Sequence, residues 1–337
     1  MVEARINDPS TVDREAVLAI LDRGVTPTVQ FSHRGYTPAL LEQINKLCVE
    51  FGERIEVRFY GHYDDSFDAS ALAPLRDVRW LTIDCLMSVV NGVWIDDLPP
   101  LTRFSFGVHG FDDPALLEKL DLSRLTHLRL SENAKRNLDL APLAAAGRLE
   151  QLSVQGHSRN IEAITGLPAL HTVGLSGFPN KKALGFLNAL EPLRCLRLIL
   201  GSRTRIGEFH HPDLEVLEIM RVRGLEDVGA LARFPRLRAL RIEDQLQLRS
   251  IDVSGMRLEK FCVLNCKNLE SVDGLPSLRD LVECRLGRTK LDLDSLVEAD
   301  WPKSLEVLAL YTNSQKWNAR TREALERRGF REFALRE

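Results

Sequence analysis

Between Ile161 and Leu175 the apolar residues fall at Ile161, Ile164, Leu167, Leu170, Val173 and Leu175, a run of threes that closes on a two. A helix alternates steps of three and four and a half-buried strand steps by two, so neither element alone fits. The spacing predicts a short strand at the L-x-x-L-x-L end, preceded by an irregular arc. The motif recurs along the chain. Its fourth position serves as a marker and falls at Val57, Leu81, Phe104, Leu128, Leu152, Val173, Leu196, Leu217, Leu240, Phe261, Cys284, Leu308 and Phe333, with every interval between 21 and 25 residues. Periods of this size belong to stacked repeats in which each unit buries its apolar face against the next. At Leu278 to Leu286 the motif can begin at Leu278 or Leu281, and the second start keeps Glu283 out of the core.

Other periods rule the two ends. Residues 10–24 read as a helix, with Ser10, Thr11 and Asp13 as capping candidates and Gly24 as its stop. Val29 and Phe31 alternate with Thr28, Gln30 and Ser32 as in a short strand. Thr37 caps a second helix with Pro38 at its first position, an apolar face of Leu40, Leu41, Ile44, Leu47, Cys48 and Phe51, and Gly52 as terminator. At the far end Asn318 is the expected cap of a helix reaching Arg328, with Phe330, Phe333 and Leu335 as a last strand.

At the marker residues, from about Ile55 to Leu335, the chain resembles the leucine-rich-repeat superfamily, nearest to its class of roughly 22-residue repeats in internalin-type proteins and phosphatase regulators. The resemblance implies an α/β leucine-rich-repeat solenoid, a curved horseshoe with a parallel sheet on its concave side. It also implies binding of another macromolecule on that sheet. The expected organisation is an α/β N-terminal cap over 1–54, repeats over 55–312 and a helix-strand C-terminal cap over 313–337, in one continuous domain. The family's asparagine, three residues past the last strand leucine, survives here at Asn133 and Asn313. Cys266 is a known kind of replacement, whereas His109, His157, Phe178 and Gln245 depart from the pattern, so less regular turns are expected.

If each marker and the residue two further on face the core, the residues before, between and after them face the concave side. The central row then includes Arg58, Arg129, Arg197, Glu218, Arg241 and Arg285, with Arg197 and Arg241 flanking Glu218. This row is either a ladder of mutually neutralising ion pairs or a docking surface for an acidic partner. Cys195, Ile199, Val216, Met220, Ala239, Cys262 and Leu264 add an apolar patch, which marks a contact site unless a flanking loop covers it. Tyr60, Trp80, Tyr311 and Trp317 are either rim anchors or packing against the caps.

Composition adds limits more than chemistry. With 44% apolar and 28% charged residues among 337, a sizeable core can form, and a net charge of −3 gives no global attraction to nucleic acid or an acidic membrane. The N-terminal MVEARINDPS lacks an apolar signal region, no membrane-spanning run occurs, and six scattered cysteines fit reduced thiols, so a cytoplasmic location is expected. His210-His211 reads as a solvated turn, and Cys262 with Cys266 lacks a second pair for zinc. Asp64, Asp65 and Asp68, Asp96-Asp97 and Asp112-Asp113 read as turn residues without calcium-loop spacing. Arg320, Arg322, Arg327, Arg328 and Arg331 give the last helix a solvated basic side.

The expectation is therefore a non-enzymatic protein-binding module with no cofactor, metal or catalytic residue. Its partner would be a protein, acidic with an apolar anchor, held by Arg129, Arg197, Ile199, Val216, Glu218, Met220, Arg241, Leu264 and Arg285. The alternative is the substrate-recognition part of an enzyme whose activity lies in the N-terminal cap or a partner. Against it, Cys48 falls on the buried face of its helix, where a nucleophile is wasted.

Overall fold

The computed structural model describes residues 4–32, 34–61, 65–91, 98–131, 133–134 and 137–332. Asp64, Asp96, Asp97, Phe333 and Leu335 lie outside them. The chain divides into two compact units, Met1–Leu170 and His171–Glu337.

The first unit opens with β1 (Ala4–Asn7), α1 (Arg14–Leu21), β2 (Pro27–Phe31), α2 (Pro38–Phe51) and β3 (Glu56–Tyr60). Short strands β4 (Ser66–Asp68) and β6 (Ser88–Val90) pair on the arc side, while β5 (Trp80–Leu86), β7 (Arg103–Val108), β8 (His127–Leu130) and β9 (Gln151–Gln155) continue the main parallel sheet. A single-turn helix, α3 (Leu116–Lys119), lies between β7 and β8. α2 follows the sequence closely: Thr37 accepts the Leu40 N–H, Pro38 takes the first turn, and all six expected apolar residues are buried. α1 is shorter than its expected span and uses Asp13 alone as cap. β1 was not expected; its four residues are too few to show a period, and it exists because it pairs in parallel with β2. That pairing also closes β2 on both sides. Thr28 and Gln30 are buried with hydrogen bonds to Glu56 and Asn7, and Ser32 bonds Asp8.

The second unit contains β10 (Thr172–Ser176), β11 (Cys195–Ile199), β12 (Val216–Met220), β13 (Ala239–Glu243), β15 (Lys260–Leu264), β17 (Glu283–Gly287) and β18 (Val307–Tyr311) in one parallel ladder. β14 (Ser250–Asp252) and β16 (Ser271–Asp273) pair on the arc side, and α4 (Leu293–Glu298) and α5 (Gln315–Arg327) flank β18 in sequence. Ser314 caps α5; Asn318, expected as the cap, lies one turn inside, where its Oδ1 accepts the Thr312 N–H.

Both units are built of leucine-rich repeats. Every described marker pairs with the next inside its unit: Val57 with Leu81, Phe104, Leu128 and Leu152 in turn, and Val173 with Leu196, Leu217, Leu240, Phe261, Cys284 and Leu308. All are buried, as are the residues two further on. The Leu281 start is the observed register, with Cys284 buried and Glu283 half-buried. Irregular arcs return the chain through 3-10 turns such as Ile161–Gly166 and Gly185–Ala189.

The turn after each strand has its own device. In the second unit Leu200, Arg221, Asp244, Asn265 and Arg288 directly follow β11, β12, β13, β15 and β17 with φ between 54° and 59°, and each donates its N–H to the last strand residue of the next rung at 2.9 to 3.0 Å. Two replacements for the family asparagine are buried and bonded, while His109 is exposed: in the first unit His157 accepts the Leu138 N–H and reaches the Ser131 carbonyl, and in the second Gln245 donates to the Glu243 carbonyl.

Phe104 is 1% exposed and Val49 is 65% exposed. Phe104→Ala is expected to cost about 3–5 kcal/mol in urea unfolding, and Val49→Ala less than about 0.5 kcal/mol.

Candidate functional site

Alternation along each strand places one face of the sheet against the core and leaves the other open. In the second unit the central row of this open face runs Gly174, Arg197, Glu218, Arg241, Cys262, Arg285 and Ala309, each paired in register with the next. Arg197, Glu218 and Arg241 are therefore neighbours on successive strands. Their bonding is less symmetric than their spacing. Arg197 Nε donates to Glu218 at 2.7 Å, while Arg241 turns to Glu243 on its own strand, at 2.9 and 2.7 Å from Nε and Nη2. Arg285 likewise pairs with Glu283. An acid two residues away shares the strand face of the arginine, which makes the within-strand pair the nearer choice. Glu243 and Glu283 were missed by reading only the central row; the i, i+2 spacing of opposite charges was the available signal.

Apolar side chains lie on both sides of these pairs. Ile199, Val216, Met220, Ala239, Cys262 and Leu264 are half-buried, and Cys195 is nearly closed at 9% exposure. Val216, Ala239, Cys262 and Leu264 line a groove of about 420 Å³ whose rim carries Glu218, Arg241, Lys260 and Arg285. Expected residues Arg197, Ile199, Val216, Glu218, Met220, Arg241, Leu264 and Arg285 thus share one face of the second unit, whereas Arg129 lies on β8 of the first.

The open face of the first unit is polar instead. Glu56 accepts from the Thr28 and Thr82 hydroxyls at 2.8 and 2.6 Å, and Arg58 chelates Asp84 at 2.9 and 3.0 Å. The aromatic residues are engaged: Arg58 lies 4.8 Å over Tyr60, Arg103 4.6 Å over Trp80, the Tyr311 hydroxyl bonds Glu332, and the Trp317 indole donates to Asp294.

Other candidate chemistry resolves into structure. His211 is buried, not solvated as expected: its Nε2 donates to the Leu190 carbonyl and its Nδ1 accepts the Asp213 N–H, while His210 remains exposed. Asp68 and Asp113 close turns by accepting from Ser70 and Ala115. On the last helix Arg320 bonds Asp294, Arg322 bonds Glu332, and Arg331 of the following segment pairs with Glu306. Among the described residues no group of three or more His, Cys, Asp or Glu is placed to hold a metal ion, and no helix is long and apolar enough to cross a membrane. Burial pushes the Cys48 thiol up to about 12 and the Cys262 and Cys266 thiols up to about 11.

No protein-family model matches the chain, and no curated protein matches it. Solved structures similar to it include an internalin (inlF) from Listeria monocytogenes, 15% identical over 91% of this chain and 78% of that one, with a TM-score of 0.46. The functional domain of InlJ from the same organism is 14% identical over 92% and 62%, also at 0.46. A chain of the Toll–Spatzle complex from Drosophila is 16% identical over 92% and 50%, again at 0.46. The chain thus spans less than two thirds of the InlJ domain and half of the Toll–Spatzle chain.

Two outcomes follow from the burial of titrating groups. Burial lowers the His211 pKa below its ordinary value, against the opposing pull of the Leu190 carbonyl and Asp213. The unfolded chain therefore takes up this proton near pH 6.5 while the folded one resists. Stability contributed by neutral His211 is complete above about 6.5 and falls as pH drops below it, a slope in urea midpoints that His211→Gln should flatten. Cys262, with its thiol near 11, should react with iodoacetamide at neutral pH about a hundredfold more slowly than a model thiol.

Proposed function

We propose that this chain is a non-enzymatic recognition module that holds a polypeptide partner on the open face of its repeat sheet. The observation that carries the reading is the half-buried apolar group of Ile199, Val216, Met220 and Leu264 at the centre of the second unit's open face, rimmed by arginine–glutamate pairs. Apolar side chains left on a solvated sheet face favour association. Exposed ion pairs contribute only about 0–1 kcal/mol each, so they set orientation more than affinity. On the second unit, the partner that fits offers an apolar anchor to Val216, Met220 and Leu264, with acidic groups near the arginines Arg197, Arg241 and Arg285; Arg129, on the first unit, is proposed as a contact of its own.

Catalysis by the obvious nucleophile is disfavoured, since Cys48 is buried with its thiol raised to about 12. Residence in a reducing cytoplasm belongs to the same proposal and is supported by six cysteines that all remain free. The division into caps over 1–54 and 313–337 around repeats over 55–312 is likewise proposed.

Val216→Asp and Met220→Asp each place a carboxylate where the anchor would sit, at an expected loss of about 2 kcal/mol or more, roughly thirtyfold in affinity. In capture from native extract, proteins retained by the wild type should be lost by both variants, with thermal unfolding unchanged. Retention of every captured protein would remove the face from consideration.

A further inference from the structure

Resting on that reading of the open face as a polypeptide-docking surface, we infer that Arg129 and the pocket beside it form a subsite for one carboxylate of an acidic peptide segment. The pocket, about 280 Å³ on the first unit, is bounded by Arg5, Arg58, Trp80, Ser105, Arg129 and Ser131. Its wall is rigidly wired. Glu56 accepts one threonine hydroxyl on each oxygen, Asp84 holds Arg58 in a two-bond fork, and Gln30 ties Arg58 to Asn7. Gly107 lets Ser131 of the pocket wall approach closely, since a Cβ there would come within 2.9 Å of Ser131 Cβ.

Arg129 differs from the other arginines of the central row. Arg58, Arg197, Arg241 and Arg285 each have a carboxylate partner. Arg129 is exposed, its register neighbours are Ser105 and Ser153, and it has no hydrogen bond or ion pair among the described residues. Its charge is unspent, and the two serines leave hydroxyls beside it that can share an incoming oxyanion.

Charge decides the occupant. Arg58 is neutralised by Asp84, whereas Arg129 brings a guanidinium with no carboxylate partner among the described residues, so the charge that Arg129 can take up is a single negative one. One free planar guanidinium matches one carboxylate in a two-bond fork. A phosphate dianion would overrun that balance and meet Glu56 and Asp84, and phosphate-reading sites gather several free arginines. A nucleic-acid backbone is a poorer fit still for a chain of net charge −3. The ligand class is therefore a peptide side chain of Asp or Glu.

Anisotropy of a fluorescein-labelled Glu-Val repeat decapeptide, titrated with the full chain at low salt, tests this. Wild type should bind it and ignore the Lys-Val counterpart, Arg129→Gln should weaken binding about five- to tenfold, and Arg129→Lys should recover part of the loss. Arg236→Gln, at an exposed arginine paired with Asp213, serves as a matched charge deletion and should bind like wild type. Equal affinity of Arg129→Gln and wild type, or displacement of the peptide by inorganic phosphate at lower concentration than by acetate, overturns the inference. Absence of any binding to the acidic peptide overturns it too, yet leaves the Met220 and Val216 capture result standing, so the two readings fail separately.

Discussion

Both units depend on one packing constraint: a rung of 21–25 residues cannot bury its own apolar edge, so inside each unit a marker must lie against the marker of the next rung. A fully buried leucine is worth about 1.5–3 kcal/mol, and each rung supplies several, whereas a slip of one residue would turn the whole set to the open side. The hydrogen bonds repeat the same discipline. Glu215 and Val216 both donate to the Arg194 carbonyl, Arg238 and Ala239 to that of Glu215, and Glu259 and Lys260 to that of Arg238. One shared acceptor per rung fixes where each strand begins, and hence which side chains are forced outward.

That enforced exposure creates the candidate surface, but the two units use it differently. The second unit spends its arginines on Glu218, Glu243 and Glu283, leaving the apolar positions as the larger source of contact energy. In the first unit polar side chains knit the face through Glu56 and Asp84. A pre-bonded network costs little to hold in place when a ligand arrives, because its side chains have already lost their rotational freedom in folding.

Much of this architecture was legible in the sequence, because burial of Leu, Ile, Val and Phe at fixed spacing is strong and local. The markers, the outward row and α2 with its Thr37 cap all follow from that one preference. What stayed hidden depended on partners distant in the chain. β1 exists only through its pairing with β2, and Thr28 and Gln30 are buried only because Glu56 and Asn7 lie beside them. His211 is internal because the Leu190 carbonyl, one rung earlier, needs a donor. Arg241 chose Glu243 over Glu218 on geometry that charge counting alone does not resolve. Ser314 displaced Asn318 as the α5 cap since Asn318 closes the preceding turn through Thr312.

The missing asparagines admit the same treatment. An asparagine ladder satisfies backbone groups at the turn through side chains, and its loss should loosen the turns unless another donor takes over. In the second unit the backbone supplies that donor: Leu200, Arg221, Asp244, Asn265 and Arg288 adopt the left-handed conformation, and each N–H reaches the next strand's final carbonyl. Such a conformation costs a non-glycine residue about 1–2 kcal/mol, comparable to the gain from one well-made hydrogen bond. The turn therefore holds only while the neighbouring rung is in place to accept that bond. With the main chain closing the turn, the side-chain position three residues past the strand leucine need not be an asparagine: Phe178 fills it by packing, and Gln245 and Cys266 fill it while bonding nearby carbonyls. The tolerance that obscured the family pattern in the sequence is thus a consequence of the stacking itself.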